Sequence, residues 1–114
     1  MEKIKLFIPG KADYVSTVRL TTASICNKIG FDIEVIEDIR VAISEACNML
    51  IDSEQIEVEY QISDLGLKIF VSLPESKIQY KTDIGSDLGR QILSSLVDKV
   101  EYTEDYISMF KGID

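Results

Sequence analysis

The stretch from Phe31 to Ile51 constrains the fold more than any other part of this chain. Asp32 stands where an N-cap residue belongs, and Glu34 lies in the first turn, where a negative charge interacts favourably with the helix dipole. Apolar residues recur at steps of three and four positions, the period of an amphipathic helix, at Val35, Ile36, Ile39, Ile43, Ala46 and Leu50. The pattern therefore predicts a helix from Asp32 to Ile51 that buries one face.

The opposite face of this predicted helix is polar and includes Glu37, Arg40 and Ser44. Glu45 and Asn48 also lie there, three residues apart, so that the carboxylate and the amide point to one side of the helix. A solvated helix face is the simplest explanation of such a pair. A catalytic or metal-binding role for it needs support from the rest of the chain.

Length and composition predict a single globular domain spanning residues 1–114. A chain of 114 residues can form one core without disulfides or metals, and 46% apolar and 28% charged residues are ordinary values for a globular protein. No apolar run reaches the roughly 18 residues of a membrane span, and the N-terminus lacks a signal-peptide pattern. We therefore expect a cytoplasmic protein without a membrane partner.

Charge and residue usage restrict the chemistry further. The sequence contains no histidine, which removes histidine acid–base catalysis and argues against a zinc site. A formal net charge of −8 argues against direct nucleic-acid binding, and it suits a basic protein partner or simply solubility. Cys26 and Cys47 both fall on apolar helix stripes, so we expect two buried thiols and no disulfide.

The remaining elements follow from their periodicity. Further helices are predicted at Asp13–Ile29, which Gly30 terminates, and at Gly85–Asp98, with Ser86 as its N-cap. Residues Glu75 to Ile84 have no strong period and are predicted to form a mobile loop. Alternating apolar residues predict five strands, at Lys3–Pro9, Ile56–Ser63, Leu67–Leu73, Lys99–Thr103 and Tyr106–Lys111. This order predicts an α+β two-layer sandwich in which three helices cover one face of a mostly antiparallel mixed sheet.

Two passages in this order resemble the motifs of a known superfamily. Ala42 to Ile51, AISEACNMLI, resembles the N-box helix of the histidine-kinase-like (Bergerat-fold, GHKL) ATPases. Gly85 to Tyr102, GSDLGRQILSSLVDKVEY, resembles their glycine box with its helix and following strand. The order and spacing of elements over nearly the whole chain are similar to the branch that contains anti-sigma factors and serine-protein kinases. The resemblance implies the histidine-kinase-like fold and, as cofactor, ATP with Mg²⁺.

The resemblance also implies roles for individual residues. Glu45 matches the glutamate that acts as general base on a serine hydroxyl. The family's Mg²⁺-binding asparagine lies four residues further on, where this chain has Met49, and a thioether is a poor ligand for a hard cation. Asn48, the candidate Mg²⁺ ligand, is one residue early, which rotates it by about 100° around a helix. The other candidate nucleotide-binding residues are Gly85, Asp87, Gly89 and Arg90.

Other positions differ from the family pattern. The family has an Asp-x-Gly-x-Gly box after the second hairpin strand, whose aspartate reads the adenine amine. In this chain Val71 to Lys77 occupies that place and contains neither aspartate nor glycine. Asp87 lies at the turn that should receive phosphate, where Ser86 and Asp87 are expected to cap the free amides themselves. The lid between the two boxes is also short, and these departures favour a protein without a nucleotide cofactor.

Three functions remain open on the sequence alone. The first is an anti-sigma-factor-like regulator that acts by binding a protein partner and whose nucleotide site is eroded, and the second is an active ATP-dependent serine-protein kinase. The third is a structural or oligomerising subunit of the same fold. The resemblance implies a sigma-factor-like or anti-anti-sigma-like partner, together with a homodimer formed through a sheet edge.

Overall fold

The computed structural model describes residues 1–113, so Asp114, the last residue of the predicted domain, lies outside the described part. In chain order the elements are β1 (Glu2–Pro9), a 3-10 turn (Ala12–Tyr14), α1 (Val15–Ile29), α2 (Ile33–Asn48), β2 (Gln55–Ser63), β3 (Gly66–Ser72), α3 (Ile84–Leu96), β4 (Lys99–Tyr102) and β5 (Ile107–Gly112). The predicted order of helices and strands is confirmed. Between residues 1 and 113 no helix is long and apolar enough to cross a membrane.

The five strands form one sheet in the order β1-β2-β3-β5-β4. All four neighbouring pairs are antiparallel. The α+β prediction is confirmed, but the expected mixed sheet is wrong for the described residues. The physical reason lies in the connection through α3: β5 inserts between β3 and β4, so these two strands run in the same direction without pairing.

One face of the sheet forms the core with the helices. The strand register places Ile4, Tyr60, Ile69, Met109 and Val100 in one row on this face. The middle three of these residues are buried, whereas those at the two sheet edges are partly or largely exposed. The alternation seen in the sequence thus gives each strand one core-facing side, as predicted.

Helices α1 and α2 cover most of this face. Ile39 and Ile43 of α2 are at most 1% exposed, and Val18 of α1 is fully buried. Thr22 of α1 shares a hydrogen bond of 2.7 Å with the Tyr60 hydroxyl, which satisfies two polar groups inside the core.

Helix ends are only partly as predicted. Asp32 caps α2 by accepting a 2.9 Å hydrogen bond from the Val35 amide, and Gly30 ends α1 in the left-handed region at φ 98°. The prediction that α2 reaches Ile51 is wrong, because the helix ends at Asn48. The Leu50 amide bonds to the Cys47 carbonyl at 2.9 Å, a tighter turn than an α-helix makes, as the chain turns towards β2.

Candidate functional site

The two motif passages meet where the last turn of α2 packs against the first turns of α3. A β-carbon placed on Gly89 would lie 3.7 Å from Oε1 of Glu45 and 3.7 Å from the Cε atom of Met49. The half-buried Glu45 carboxylate therefore points at the turn between Gly85 and Gly89. The geometry brings the candidate base and the glycine motif together, while the catalytic role of Glu45 remains a prediction.

Asn48 occupies a different position from Glu45. It is exposed at the last position of α2. Among the described residues, and apart from α3 itself, Glu45 and Met49 are the ones that come within 4 Å of a β-carbon placed on Gly89. Four residues complete about one helical turn, so the Met49 side chain lies next to that of Glu45 on the side of α2 that faces α3. The thioether, rather than the Asn48 amide, thus adjoins the carboxylate.

The first turn of α3 is capped from within the chain. Oδ1 of Asp83 accepts a 2.8 Å hydrogen bond from the Ser86 amide, so Asp83 is the N-cap and the prediction of Ser86 is wrong. Helix α3 begins at Ile84, which places Ser86 inside the first turn, where its amide needs an acceptor. This hydrogen bond lowers the pKa of Asp83 below its ordinary value.

Asp87 and Arg90 pair with each other. The Arg90 guanidinium forms an ion pair with Asp87, and its Nη1 atom donates a 3.2 Å hydrogen bond to the Lys81 carbonyl. The expectation that Asp87 caps α3 is therefore wrong, because its carboxylate turns towards Arg90. Both side chains lie at the glycine motif with their charges directed at each other and at the preceding loop, and their role in nucleotide binding stays a prediction.

The loop between β3 and α3, residues 73–83, is attached to the turn between β4 and β5. Ile78 is buried, and its amide donates a 2.7 Å hydrogen bond to the Glu104 carbonyl. Lys77 forms an ion pair with Asp105, and the Tyr80 hydroxyl donates to the Thr103 carbonyl. The loop lacks helix and strand up to Asp83, as expected from its irregular sequence. No periodicity in the sequence indicates these attachments.

Two aromatic rings complete the attachment of this loop. Tyr80 packs edge-on against Tyr102 of β4, with ring centroids 5.9 Å apart and ring planes at 90°. Burial raises the pKa of Tyr80 to about 12, so its phenol stays protonated and able to donate at neutral pH. In the sequence, Ile78 and Tyr80 are the signals that could have indicated this attachment, because they are an apolar and an aromatic residue in a mostly polar loop.

Among residues 1–113, no group of three or more Cys, Asp or Glu side chains is arranged to hold a metal ion.

Comparison with known proteins identifies relatives of this chain, although no family model matches it. It is 30% identical to the serine-protein kinase RsbW of Bacillus mycoides over a gapped alignment of 127 positions, which covers 91% of this chain and 79% of the relative. It is 32% identical over 126 residues to the serine-protein kinase RsbW of Bacillus cereus, with the same coverage of both chains. A shorter match to the Bacillus thuringiensis RsbW is 39% identical over 77 residues, 62% of this chain and 48% of that protein.

The antiparallel sheet with its layer of three helices, taken with these matches, defines a protein of the histidine-kinase-like (GHKL) ATPase superfamily. Within that superfamily, the chain belongs to the family of the RsbW serine-protein kinase anti-sigma factors. The resemblance inferred from the two sequence passages is confirmed.

Proposed function

We propose that this chain is an anti-sigma-factor-like regulator of transcription that works by binding a protein and does not use Mg-ATP. The observation that carries the proposal is that the chain itself satisfies the groups expected to hold phosphate. The Asp83 carboxylate accepts a hydrogen bond from the Ser86 amide, and the Asp87 carboxylate forms an ion pair with the Arg90 guanidinium. Residues 1–114 would act as one cytoplasmic domain.

The start of α3 is electrostatically unfavourable for a bound phosphate. A helix N-terminus binds anions because its first amides are free and its dipole is positive. In α3 the Asp83 carboxylate already accepts from the first turn, and Asp87 adds a second negative charge there. A triphosphate would have to displace Asp83 and approach both carboxylates, so the start of α3 favours a protein that leaves nucleotide unbound.

Met49 makes Mg²⁺ binding beside Glu45 unfavourable. The methionine side chain lies beside Glu45, at the position where the family pattern has its Mg²⁺-binding asparagine. Mg²⁺ requires oxygen ligands in near-octahedral geometry, and a thioether supplies none. Asn48 is exposed on another side of α2 and would need the end of the helix to rearrange before its amide could reach the same ion.

The loop between β3 and α3 is poorly suited to act as a lid over a nucleotide. Its residues Lys77, Ile78 and Tyr80 are all bonded to the turn between β4 and β5. The matched relative from Bacillus mycoides also has more residues within the aligned region: 91% of 114 residues is about 104, whereas the alignment spans 127 positions. A short, attached loop is less suited to closing over a nucleotide than a free lid is.

The partner of the proposed regulator would be a sigma-factor-like or an anti-anti-sigma-like protein. Its relatives are named serine-protein kinases RsbW, and membership of this anti-sigma-factor family is the reason for proposing these two kinds of partner. A homodimer through the exposed edge of β1 is a further part of the proposal.

Active kinase function is the second candidate, and one observation favours it. The Glu45 carboxylate faces Gly89 across a gap that has no side chain, which is where a general base beside a bound nucleotide would be needed. Under this alternative, Glu45 is the base and Asn48 a displaced Mg²⁺ ligand.

Thermal unfolding in the presence of Mg-ATP separates the two candidates. Ligand binding stabilises the native state by RT ln(1 + [L]/Kd), so a site with a Kd near ~50 μM would raise Tm by roughly 10–20 °C in ~5 mM Mg-ATP. We expect a shift below about 2 °C, within the range of nonspecific ion effects on an acidic protein. Mg²⁺ with pyrophosphate at matched ionic strength is the control, and the Bacillus cereus relative is the comparison protein. An ATP-specific shift above about 8 °C that Asn48→Ala removes would overturn the proposal.

Phosphotransfer to a serine-bearing partner gives a second readout. If the chain is a kinase, Glu45→Gln removes the base and abolishes phosphotransfer while conserving the size of the side chain. If it is a binding protein, the wild type transfers no phosphate, and Glu45→Gln leaves the affinity for the partner nearly unchanged. Asp87→Asn is the matched variant at the same turn, because it removes one negative charge next to Arg90 without touching Glu45.

A further inference from the structure

The helices leave the other face of the sheet open, and one row of that face is basic. The strand register aligns Lys3 of β1, Gln61 of β2, Lys68 of β3, Phe110 of β5 and Lys99 of β4. We call these five residues the lysine row. It places a lysine on every second strand across the full width of the sheet.

The three lysines of this row have free charges. Among residues 1–113, Lys3, Lys68 and Lys99 take part in no ion pair, whereas Lys5 in the next row lies 3.9 Å from Glu57 and 3.6 Å from Glu59. Lys68 Nζ lies 5.1 Å from the ring centroid of Phe70, which holds its charge above an aromatic surface. Together with Lys5, the strands carry four lysines on the open face against the carboxylates of Glu57, Glu59 and Glu101, so this face is slightly positive in a chain whose net charge is −8.

An apolar depression of about 450 Å³ lies along this row. Its lining includes Ser108, whose small buried side chain lies between larger neighbours, together with Phe110 and Leu65, which is 77% exposed. The one carboxylate in the lining, Glu101, accepts a 2.7 Å hydrogen bond from the Tyr106 hydroxyl. The surface therefore offers apolar contact between cations.

The spacing of the cations suits a helix. Adjacent strands are about 4.8 Å apart, so lysines on alternate strands are separated by about 9.6 Å at their backbones. Seven residues of an α-helix rise about 10.5 Å, so carboxylates at positions i, i+7 and i+14 match the three lysines. Apolar residues at i+3 and i+4 would then fall between the charges, over the depression.

We infer that the lysine row is a docking site for an acidic amphipathic helix of a partner protein, laid across the strands. This inference rests on the proposed protein-binding function and names the surface that performs it. A second copy fits less well, because the chain is strongly acidic overall and its own helices would have to present a carboxylate at every second turn. Nucleic acid also fits less well, since three cations neutralise few phosphates and the rest of the molecule repels them.

The test uses a synthetic 18-residue peptide, capped at both ends, with glutamate at positions i, i+7 and i+14 and leucine at i+3, i+4, i+10 and i+11. Binding to the full chain is measured by fluorescence anisotropy, and amide chemical shifts locate the site. The matched peptide carries lysine in place of each glutamate. We expect the acidic peptide to bind and to shift the amide signals of β3, β4 and β5. Its affinity should fall as the salt concentration rises, and the basic peptide should not bind.

Charge-reversal variants of the protein locate the contribution of the row. The double variant Lys68→Glu, Lys99→Glu should lower the affinity for the acidic peptide by about tenfold or more, because each attraction between exposed charges becomes a repulsion. Lys11→Glu is the matched control, since Lys11 is also an exposed lysine but precedes the 3-10 turn, away from the open face. Unchanged circular dichroism and Tm establish that the variants are folded.

Several outcomes would overturn this docking site. These are no peptide binding, equal weakening by Lys11→Glu, shifts confined to other surfaces, or a wild-type dimer that Lys68→Glu dissociates, which would make a second copy the occupant. Purified sigma and anti-anti-sigma proteins of the source organism form the second arm. If they bind wild type and the double variant equally, the docking site fails while the proposed function stands. If neither binds although the acidic peptide does, the partner class in the proposed function fails.

Discussion

Helices α2 and α3 lie on the two sides of the candidate site, and they are attached to the molecule very differently. Helix α2 has five buried residues, among them Ile39 and Ile43, whereas Leu93 is the one buried residue of α3. Two apolar residues at the start of α3, Ile84 and Leu88, are 87% and 55% exposed. Both helices have a clear apolar stripe in sequence, yet only that of α2 is fully used in the core. A stripe therefore predicts a helix better than it predicts what the helix packs against.

The largest expected effect tests this difference directly. Ile43→Ala in α2 removes a fully buried side chain and should lower the free energy of unfolding by about 2–5 kcal/mol. Leu88→Ala in α3 should change it by less than about 0.5 kcal/mol, because the leucine is largely exposed. Urea unfolding monitored by circular dichroism measures both. Similar losses from the two variants would contradict the comparison.

The second prediction concerns the thiols on the α1–α2 side. Both are free and buried, as the sequence predicted. Burial raises the pKa of Cys47 from 9.0 to about 12 and that of Cys26 from 9.0 to about 11. Because the thiolate is the nucleophile, iodoacetamide at pH 8 should alkylate the native protein at least about a hundredfold more slowly than the urea-unfolded chain.

The same pKa shifts set a pH dependence. The folded thiols hold their protons more tightly than the unfolded ones, so their contribution to stability is complete below about pH 9 and declines as the pH rises towards the folded values. Unfolding curves at pH 8 and pH 10.5 measure the decline, and a Cys26→Ala, Cys47→Ala double variant should lose this part of it. Rapid alkylation of the native protein at pH 8 would show that the α1–α2 side opens readily.

The third prediction compares the two N-caps. Asp32→Ala and Asp83→Ala each remove a carboxylate that accepts an amide hydrogen bond at a helix start, a change of about 1 kcal/mol. We expect Asp32→Ala to lower global stability, because α2 unfolds only with the core. Asp83→Ala should instead increase hydrogen exchange in α3 alone.

A conservative variant gives the control for the α3 cap. Asp83→Asn keeps an oxygen acceptor and should restore most of the protection in α3. The pKa of Asp83 is lowered in the folded protein, so its contribution is present above the ordinary value and is lost as the pH falls through the lowered one. Protection of α3 should therefore decrease in acid for wild type and stay level for Asp83→Asn. Equal exchange in α3 for all three proteins would show that the cap does not hold this helix.

The part of the fold that local patterns determine was predictable from sequence. The stripe of α2, the Asp32 cap and the alternation of the hairpin strands each act over a few residues, and the structure agrees with them. The start of α3 was misplaced because Asp83 and Ser86 are both good N-cap residues, and only the backbone path selects one of them. The attachment of Ile78 depends on residues about 26 positions away along the chain, and no local period encodes it.

The candidate site was predictable to a similar extent. Helical spacing put Glu45 on a polar face of α2, and the family resemblance, not the spacing, placed that face opposite Gly89. The pairing of Asp87 with Arg90 was not anticipated, although the two residues are three positions apart on one helix, a spacing that allows contact. Long-range packing and competition between equally suitable polar partners account for what the sequence did not predict.

The smallest expected effect concerns the gap between the two helices. Glycine inside a helix is less favourable than alanine by about 1 kcal/mol. A glycine such as Gly89 is therefore usually explained by a neighbouring element that packs too closely for a β-carbon. Here a β-carbon on Gly89 would meet its nearest neighbours, Glu45 and Met49, at 3.7 Å, which is ordinary van der Waals contact. Gly89→Ala should therefore raise the free energy of unfolding by about 0.4–1 kcal/mol, measured by urea unfolding.

Gly66→Ala is the contrasting control, because Gly66 has φ 150° and a β-carbon there would lie 2.2 Å from the Lys111 carbonyl oxygen, so that variant should be destabilised. If Gly89→Ala is stabilising and partner binding is unchanged, the gap beside Glu45 has no role in docking. A destabilised Gly89→Ala would mean that α3 packs more tightly on α2 than its single buried residue indicates.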